Sequence, residues 1–360
     1  MTAGPVGATS HHSAAPGVVV VTGVTRLLGA HVAARLAADP RVGPVIGLDA
    51  NPPPDELRPL LEGVELVRAD LRSGAPAVYE RDAEAVVHLA VATAPGLTAG
   101  GRAAMKEQNV IGTMQLLAAC QRAPALRKLV VRSSTAAYGA SFRDPAVFTE
   151  ETEPREVPRG GFARDIVDIE GYVRGFRRRR PDVAATMLRF VPFLGSRADT
   201  SLSRYFSKPF VPTVLGRDPR LQFVHIDDVL DILHRSVVED HPGTFNVAGS
   251  GVLLLSQAIR RAGRLAVPVV EPGLSAAAGF ARTLGRQGLG LDQVDLLVHG
   301  RVVDTTRLIK EYGVAPRSTP EAFADFLRGR GAGAVLDGAR VAALESAILA
   351  GIRRVRGYRS

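Results

Sequence analysis

Four consecutive valines, Val18 to Val21, run directly into Thr22-Gly23, and a helix-forming stretch begins at about Leu27. A short β-branched run without polar alternation marks a strand buried on both faces, as in parallel sheets covered by helices. Four further stretches read as strands. They are Val45 to Asp49, Val64 to Arg68 before Ala69-Asp70-Leu71, Ala85 to Leu89, and Lys128 to Arg132 before Ser133-Ser134-Thr135. With helices from about Leu27 to Ala38 and from Met105 to Cys120, this alternation predicts an α/β fold with crossover helices.

Beyond Pro158 a helix is expected to about Arg180, stopped by Pro181. Strands follow at Ala185 to Val191 and Thr244 to Val247, and Val252 to Ala262 begins like a helix. Residues 192–220 are rich in Pro, Ser and Arg and are expected to be irregular. The chain therefore divides into a flexible tail (1–16), an α/β domain (17–191, completed by 221–248), a smaller lobe (192–220 and 249–330) and a C-terminal extension (331–360). In that extension Val341, Leu344, Ile348, Ile352 and Val355 recur at helical spacing above a cluster of arginines.

With 46% hydrophobic residues the 360-residue chain can bury a sizeable core. No apolar run reaches the roughly 18 residues of a spanning helix. The first sixteen residues lack a basic start followed by an apolar stretch, so no secretory signal is expected and the cytoplasm is the natural compartment. Cys120 is the single cysteine, which excludes an intrachain disulfide and is expected in the core. No metal site is expected, at His225-Ile226-Asp227-Asp228 or elsewhere. The net charge of +9 is carried almost entirely by arginine. GC-rich coding accounts for that usage as well as an anionic partner does. Arg177 to Arg180 and the basic end of the C-terminal helix suit either helix-dipole complementarity or an acidic partner.

Thr22 to Gly29 occupies the place of a dinucleotide fingerprint between strand and helix. Gly23 allows the tight turn and Gly29 lets the helix pack on the strand. Arg26 stands where the middle glycine belongs, and its side chain could fill the pyrophosphate space or pair with phosphate. Asp49 closes the second strand, placed to accept from an adenosine ribose and to favour NAD over NADP. Asp70 is placed to meet an adenine edge.

Taken in order, these residues resemble the extended short-chain dehydrogenases, in particular the NAD-dependent epimerase/dehydratase branch and a UDP-glucose 4-epimerase-like subgroup. The likeness also rests on His88-Leu89-Ala90, Asn109 with Gly112-Thr113, Ser133 to Gly139, Leu188-Arg189, Val224 to Val229 and Phe245-Asn246-Val247. It implies a Rossmann-type doubly wound sheet and a dimer through the Met105–Cys120 and Phe162–Arg180 helices. It assigns Gly23, Arg26, Leu28, Gly29, Asp49, Asp70, Leu71, Leu89, Ala90 and Asn109 to the NAD side. Thr135, Tyr138, Pro192 and His225 fall on the side of a nucleotide sugar.

The family's chemistry uses a serine, a tyrosine base and a lysine four residues on, which lowers the phenol's pKa from about 10. Ser134 matches the serine. Phe162 and Ile166 stand at the tyrosine and lysine positions, and no lysine occurs between Lys128 and Lys208. Shifting the register does not help, because Tyr138 and Tyr172 have Phe142 and Phe176 at i+4. Pro192 replaces an asparagine that often contacts the sugar diphosphate. The leading expectation is a nucleotide- or dinucleotide-binding sensor or scaffold without the usual proton relay. An active nucleotide-sugar enzyme using Ser134, Thr135 and Tyr138 is the alternative. An adaptor for protein or nucleic acid is the third reading.

Overall fold

The computed structural model describes residues 15–93, 101–156, 158, 161–269 and 291–329. The expected N-terminal tail, except its last two residues, and the C-terminal basic helix lie outside these residues. Seven strands form one parallel sheet: β1 (Val19–Thr22), β2 (Val45–Asp49), β3 (Val64–Arg68), β4 (Ala85–His88), β5 (Lys128–Ser134), β6 (Ala184–Phe190) and β7 (Gly243–Val247). Their spatial order is β7-β6-β5-β4-β1-β2-β3. The order reverses between β1 and β4, which opens a crevice beyond the carboxyl ends of these two strands.

Helices cover both faces, so β1 carries apolar side chains on both, and Val19, Val20 and Val21 are fully buried. Burying each is worth roughly 1.5–3 kcal/mol. One apolar layer joins β1 to α1 (Leu27–Ala37) and α4 (Ile226–Val238) through Val32, Leu36, Val229 and Leu233. The other joins the sheet to α2 (Gly112–Arg122) and α3 (Gly161–Arg179) through Leu116, Cys120, Ile169, Val173 and Phe176. Helix α2 continues Gly101–Lys106 through a π-turn at Glu107–Ile111, so this helical arm is longer than its apolar pattern predicts.

Residues 192–220 depart from the irregular loop expected of them. Ser201–Ser207 is helical, with the Thr200 hydroxyl accepting from Ser203 N at 3.1 Å and Ser203 Oγ accepting from Thr200 N at 2.8 Å. Phe210–Val214 pairs in parallel with Leu265–Val269. These elements gather around a third apolar cluster containing Tyr205, Phe206, Phe223, Phe323 and Phe326. Helix α4 was legible only as a motif at its start. Its acidic first turn (Asp227, Asp228) and the spacing of Val229, Leu233 and Val237 are nevertheless a regular helical signal.

A buried polar network ties β5, β6, β7 and α3 together. Arg189 on β6 binds Glu170 on α3 with both arms, at 2.9 and 2.7 Å. Ser133 Oγ donates to the same carboxylate at 2.6 Å. A further Arg189 nitrogen donates to Tyr138 OH at 2.9 Å, and that hydroxyl lies 2.7 Å from Asn246 Oδ1. Removing one partner of such a pair leaves an uncompensated buried charge. Glu170→Ala should therefore lower stability by about 3–5 kcal/mol, read as the shift in the urea unfolding midpoint at constant slope.

Candidate functional site

The phosphate loop has the backbone its glycines were expected to provide. Gly23 sits at φ +80°, and a Cβ there would lie 2.9 Å from the Ala90 backbone. A Cβ at Gly29 would collide with the Gly23 carbonyl, so α1 packs closely on the loop. The backbone at Arg26 is extended (φ −112°, ψ 153°), a conformation open to any residue. Glycine is thus not demanded there by the turn, only by the space in front of it. The Arg26 side chain enters that space and donates to the Val91 carbonyl at 3.2 Å. Helix α1 has no side-chain cap and no acid in its first turn, so its leading N–H groups meet the crevice uncompensated.

Two hollows open on the crevice. The outer one, of about 340 Å³, has Asp49, Asp70, Leu71 and Ala90 in its walls and Arg26 at its inner end. Asp49 accepts from Thr25 Oγ1 at 2.7 Å and from Asn51 N at 3.3 Å. Asp70 caps the Leu71–Ser73 turn and pairs with Arg72 at 2.6 Å, a hydrogen bond that holds its carboxyl below the usual range.

The inner cavity, of about 300 Å³, is lined by Leu28, Ser134, Thr135, Phe162, Pro192 and, again, Arg26. Ser134 Oγ accepts from Ala136 N at 3.2 Å. Ile166, one turn beyond Phe162, is 1% exposed and belongs to the apolar layer beneath the sheet. Among the described residues the wall contains no Tyr, Lys, His or Cys. Its carboxylate, Asp199, is bound by Arg204 at 2.7 Å.

Arg132 is one of several charged wall residues that sequence reasoning missed, with Asp199, Arg204 and Arg301. It lies on β5 two positions before Ser134, on the same face. Its guanidinium donates to Val91 O at 3.4 Å and stands 5.8 Å from the Phe193 ring centre. Burial, and then the nearby Arg26 charge, pull its pKa down to about 10. The available signal was an arginine inside the apolar strand Leu129-Val130-Val131-Arg132.

Other expected site residues lie away from both hollows. Tyr138 is 2% exposed, stacks on Phe148 at 4.8 Å and spends its hydroxyl in the Arg189 network. His225 caps α4, accepting from Asp227 N at 3.1 Å, and is held between Asp325 (3.0 Å) and Arg317 (2.6 Å). Asn109, in the π-turn, grips Ala92 through its N–H at 2.7 Å and its carbonyl at 3.0 Å, and donates to Asp165 at 3.0 Å. Leu89 donates its N–H to Thr22 Oγ1 at 3.1 Å. Cys120 is buried in an apolar layer, which pushes its thiol up to about 12. Of the basic run, Arg177 donates to the Ala185 and Gly243 carbonyls at 2.9 and 2.5 Å. Arg180 donates to the Cys120 and Ala123 carbonyls, each at 3.1 Å. Both are used inside the fold.

A parallel sheet in this strand order, a glycine turn into α1 and an acid at the end of β2 define a Rossmann-type protein. The chain belongs to the NAD dependent epimerase/dehydratase family, whose sequence model matches residues 19–248. It is 46% identical over 340 residues to uncharacterized proteins of Mycobacterium tuberculosis and Mycobacterium bovis, covering 93% of this chain and 90% of each relative. Among solved structures it is similar to a UDP-glucose 4-epimerase of Thermotoga maritima with UDP-glucose (TM-score 0.66, 18% identity, 87% of this chain and 98% of that one). A UDP-glucuronic acid 4-epimerase of Bacillus cereus with NAD gives TM-score 0.63 at 16% identity, over 91% and 99%. A UDP-N-acetylglucosamine 4-epimerase of Methanobrevibacter ruminantium with UDP-N-acetylmuramic acid gives 0.67 at 17%, over 88% and 99%. No helix among the described residues is long and apolar enough to cross a membrane.

His88, under the crevice, gives the site a pH signature. It lies between Thr22 Oγ1 (2.9 Å) and Thr113 Oγ1 (2.8 Å). Burial first, and the Arg132 charge second, pull its pKa to about 4. An unfolded histidine takes a proton near 6.5, whereas the folded one refuses it until about 4. Stability is therefore full above about pH 6.5 and declines as pH falls toward 4, by roughly 3 kcal/mol in total. Denaturant midpoints measured across that window should fall with acid, and the slope should flatten in His88→Asn.

Proposed function

We propose that this protein binds a nucleotide or dinucleotide in the crevice and does not run its family's proton relay, acting as a sensor or scaffold. One observation carries the reading: the retained Ser134 faces a cavity to which Phe162 contributes hydrocarbon where a phenol would be needed. Phenylalanine exchanges no proton, and Ile166 places an apolar side chain where a cation would tune a phenol. Losing a positioned acid–base group costs about 10²–10⁴ in rate.

NAD and nucleotide sugars are the natural candidate ligands, because solved relatives are in complex with them. Asp49 and Asp70 in the outer hollow support the nucleoside end, and Arg26 supports an anion beyond it. The alternative of an active enzyme using Tyr138 is disfavoured, since burial raises that phenol's pKa and its hydroxyl is already engaged. A homodimer through α2 and α3 is part of the same reading, with Ile111, Met114 and Tyr172 exposed along that arm.

Calorimetric titration of the full chain with NAD, ADP and UDP-glucose, alongside a UDP-glucose/UDP-galactose interconversion assay, tests the proposal. Binding of at least one nucleotide is expected. Turnover should lie ~10²–10⁴ below that of a family member bearing Tyr and Lys assayed in parallel. Interconversion at the relative's rate would remove the sensor reading.

A further inference from the structure

The cation pair of Arg26, which lines both hollows, and Arg132, which lines the inner one, is not explained by the family's chemistry. Arg26 and Arg132 come from different elements, the start of α1 and the end of β5, yet both donate to one acceptor, the Val91 carbonyl. A single neutral oxygen does not neutralise two guanidinium groups. Their carboxylate surroundings are sparse: Asp49 acts on Arg26 from the outer hollow, and Asp199 in the inner wall is bound by Arg204. His88, packed behind them, is neutral through the physiological range. The first turn of α1, which begins just after Arg26, has no side-chain cap and no acid, and a helix N-terminus favours an anion.

Arg26 stands where a dinucleotide's pyrophosphate would lie, but Arg132 adds charge in the inner cavity, where the nicotinamide end of a dinucleotide needs none. A nicotinamide ring reaching Ser134 must pass Arg26 and then share the inner cavity with Arg132, which stands on the same strand face as Ser134. The oxidised ring is itself a cation, so the two arginines repel it as well as crowd it. The same pair suits the multiply charged end of a shorter ligand, because guanidinium groups bind phosphate through paired, charge-assisted hydrogen bonds.

We propose that the inner cavity is an anion site, and that the ligand is a nucleoside 5′-di- or triphosphate with its ribose at Asp49 and its terminal phosphate between Arg26 and Arg132. This rests on the nucleotide-binding reading above and narrows it from a dinucleotide to a mononucleotide. The outer hollow receives the nucleoside, and Arg26, which lines both spaces, hands the phosphate chain from one to the other.

Isothermal titration of the full chain with ATP, ADP, AMP and NAD⁺ at low and high KCl tests it, with Arg132→Ser, Arg132→Lys and Arg26→Gly as variants. ATP and ADP should bind at least about tenfold more tightly than AMP or NAD⁺, and their affinity should fall as salt rises. Arg132→Ser should weaken ATP by about tenfold or more and improve NAD⁺, with Arg132→Lys intermediate. Thermal melts of each variant without ligand separate loss of binding from loss of folding. If Arg132→Ser does not fold, the Lys and Arg26→Gly variants carry the comparison. NAD⁺ binding as tightly as ADP in the wild-type chain, or ATP affinity indifferent to both arginines, overturns the anion site and leaves the nucleotide reading standing. Absence of binding by every nucleotide overturns both.

Discussion

The approach of α1 to the glycine turn fixes everything around the crevice. With Gly29 packed on the Gly23 carbonyl and Gly23 packed on the Ala90 backbone, the first strand, the first helix and the end of β4 form one rigid corner. That corner sets where the α1 amides point, how close Val91 comes to position 26, and hence where the Arg26 side chain ends. Interiors are close-packed, so contacts at this distance leave no room for slack. The long Arg26 side chain projecting from this corner lines both hollows.

The sheet was legible because its determinants are local. Valine runs, terminal acids and glycine turns act within a few residues of themselves, and parallel strands between helices have few alternative arrangements. The C-terminal lobe was not legible in the same way. Tyr205, Phe223 and Phe323 share one apolar cluster yet lie far apart in sequence, so the Ser201–Ser207 helix owes its place to contacts that no short window contains. Arg132 escaped for a related reason, since the face of a strand residue has meaning only once the neighbouring strands and helices are placed. Tyr138 and His225 show the reverse effect. Sequence motifs gave their position along the chain, but the Arg189 network and the Asp325–Arg317 clasp decide where their polar atoms go.

Much of the family's motif content in this chain is spent on architecture. Ser133, Tyr138, Glu170, Arg189 and Asn246 are one buried network. Asn109 holds Ala92 and Asp165, and Asp165 in turn is clamped by Arg102. These groups rigidify the ends of β5 and β6 and the start of α3 irrespective of whether hydride or proton transfer takes place. The family pattern and the absence of its tyrosine and lysine are therefore compatible, because different residues carry scaffold and chemistry.

The extended backbone at residue 26 has an evolutionary corollary. A loop whose middle position needed a left-handed turn would be locked to glycine, and any replacement would strain the whole corner. Here the peptide admits any L-residue except proline, whose fixed φ and missing N–H would break the Arg26 N–Gly23 O bond, so the selectivity of the pocket can be rewritten by single codons without disturbing the path of the chain. Such a scaffold can exchange one class of metabolite for another while its folding problem stays the same.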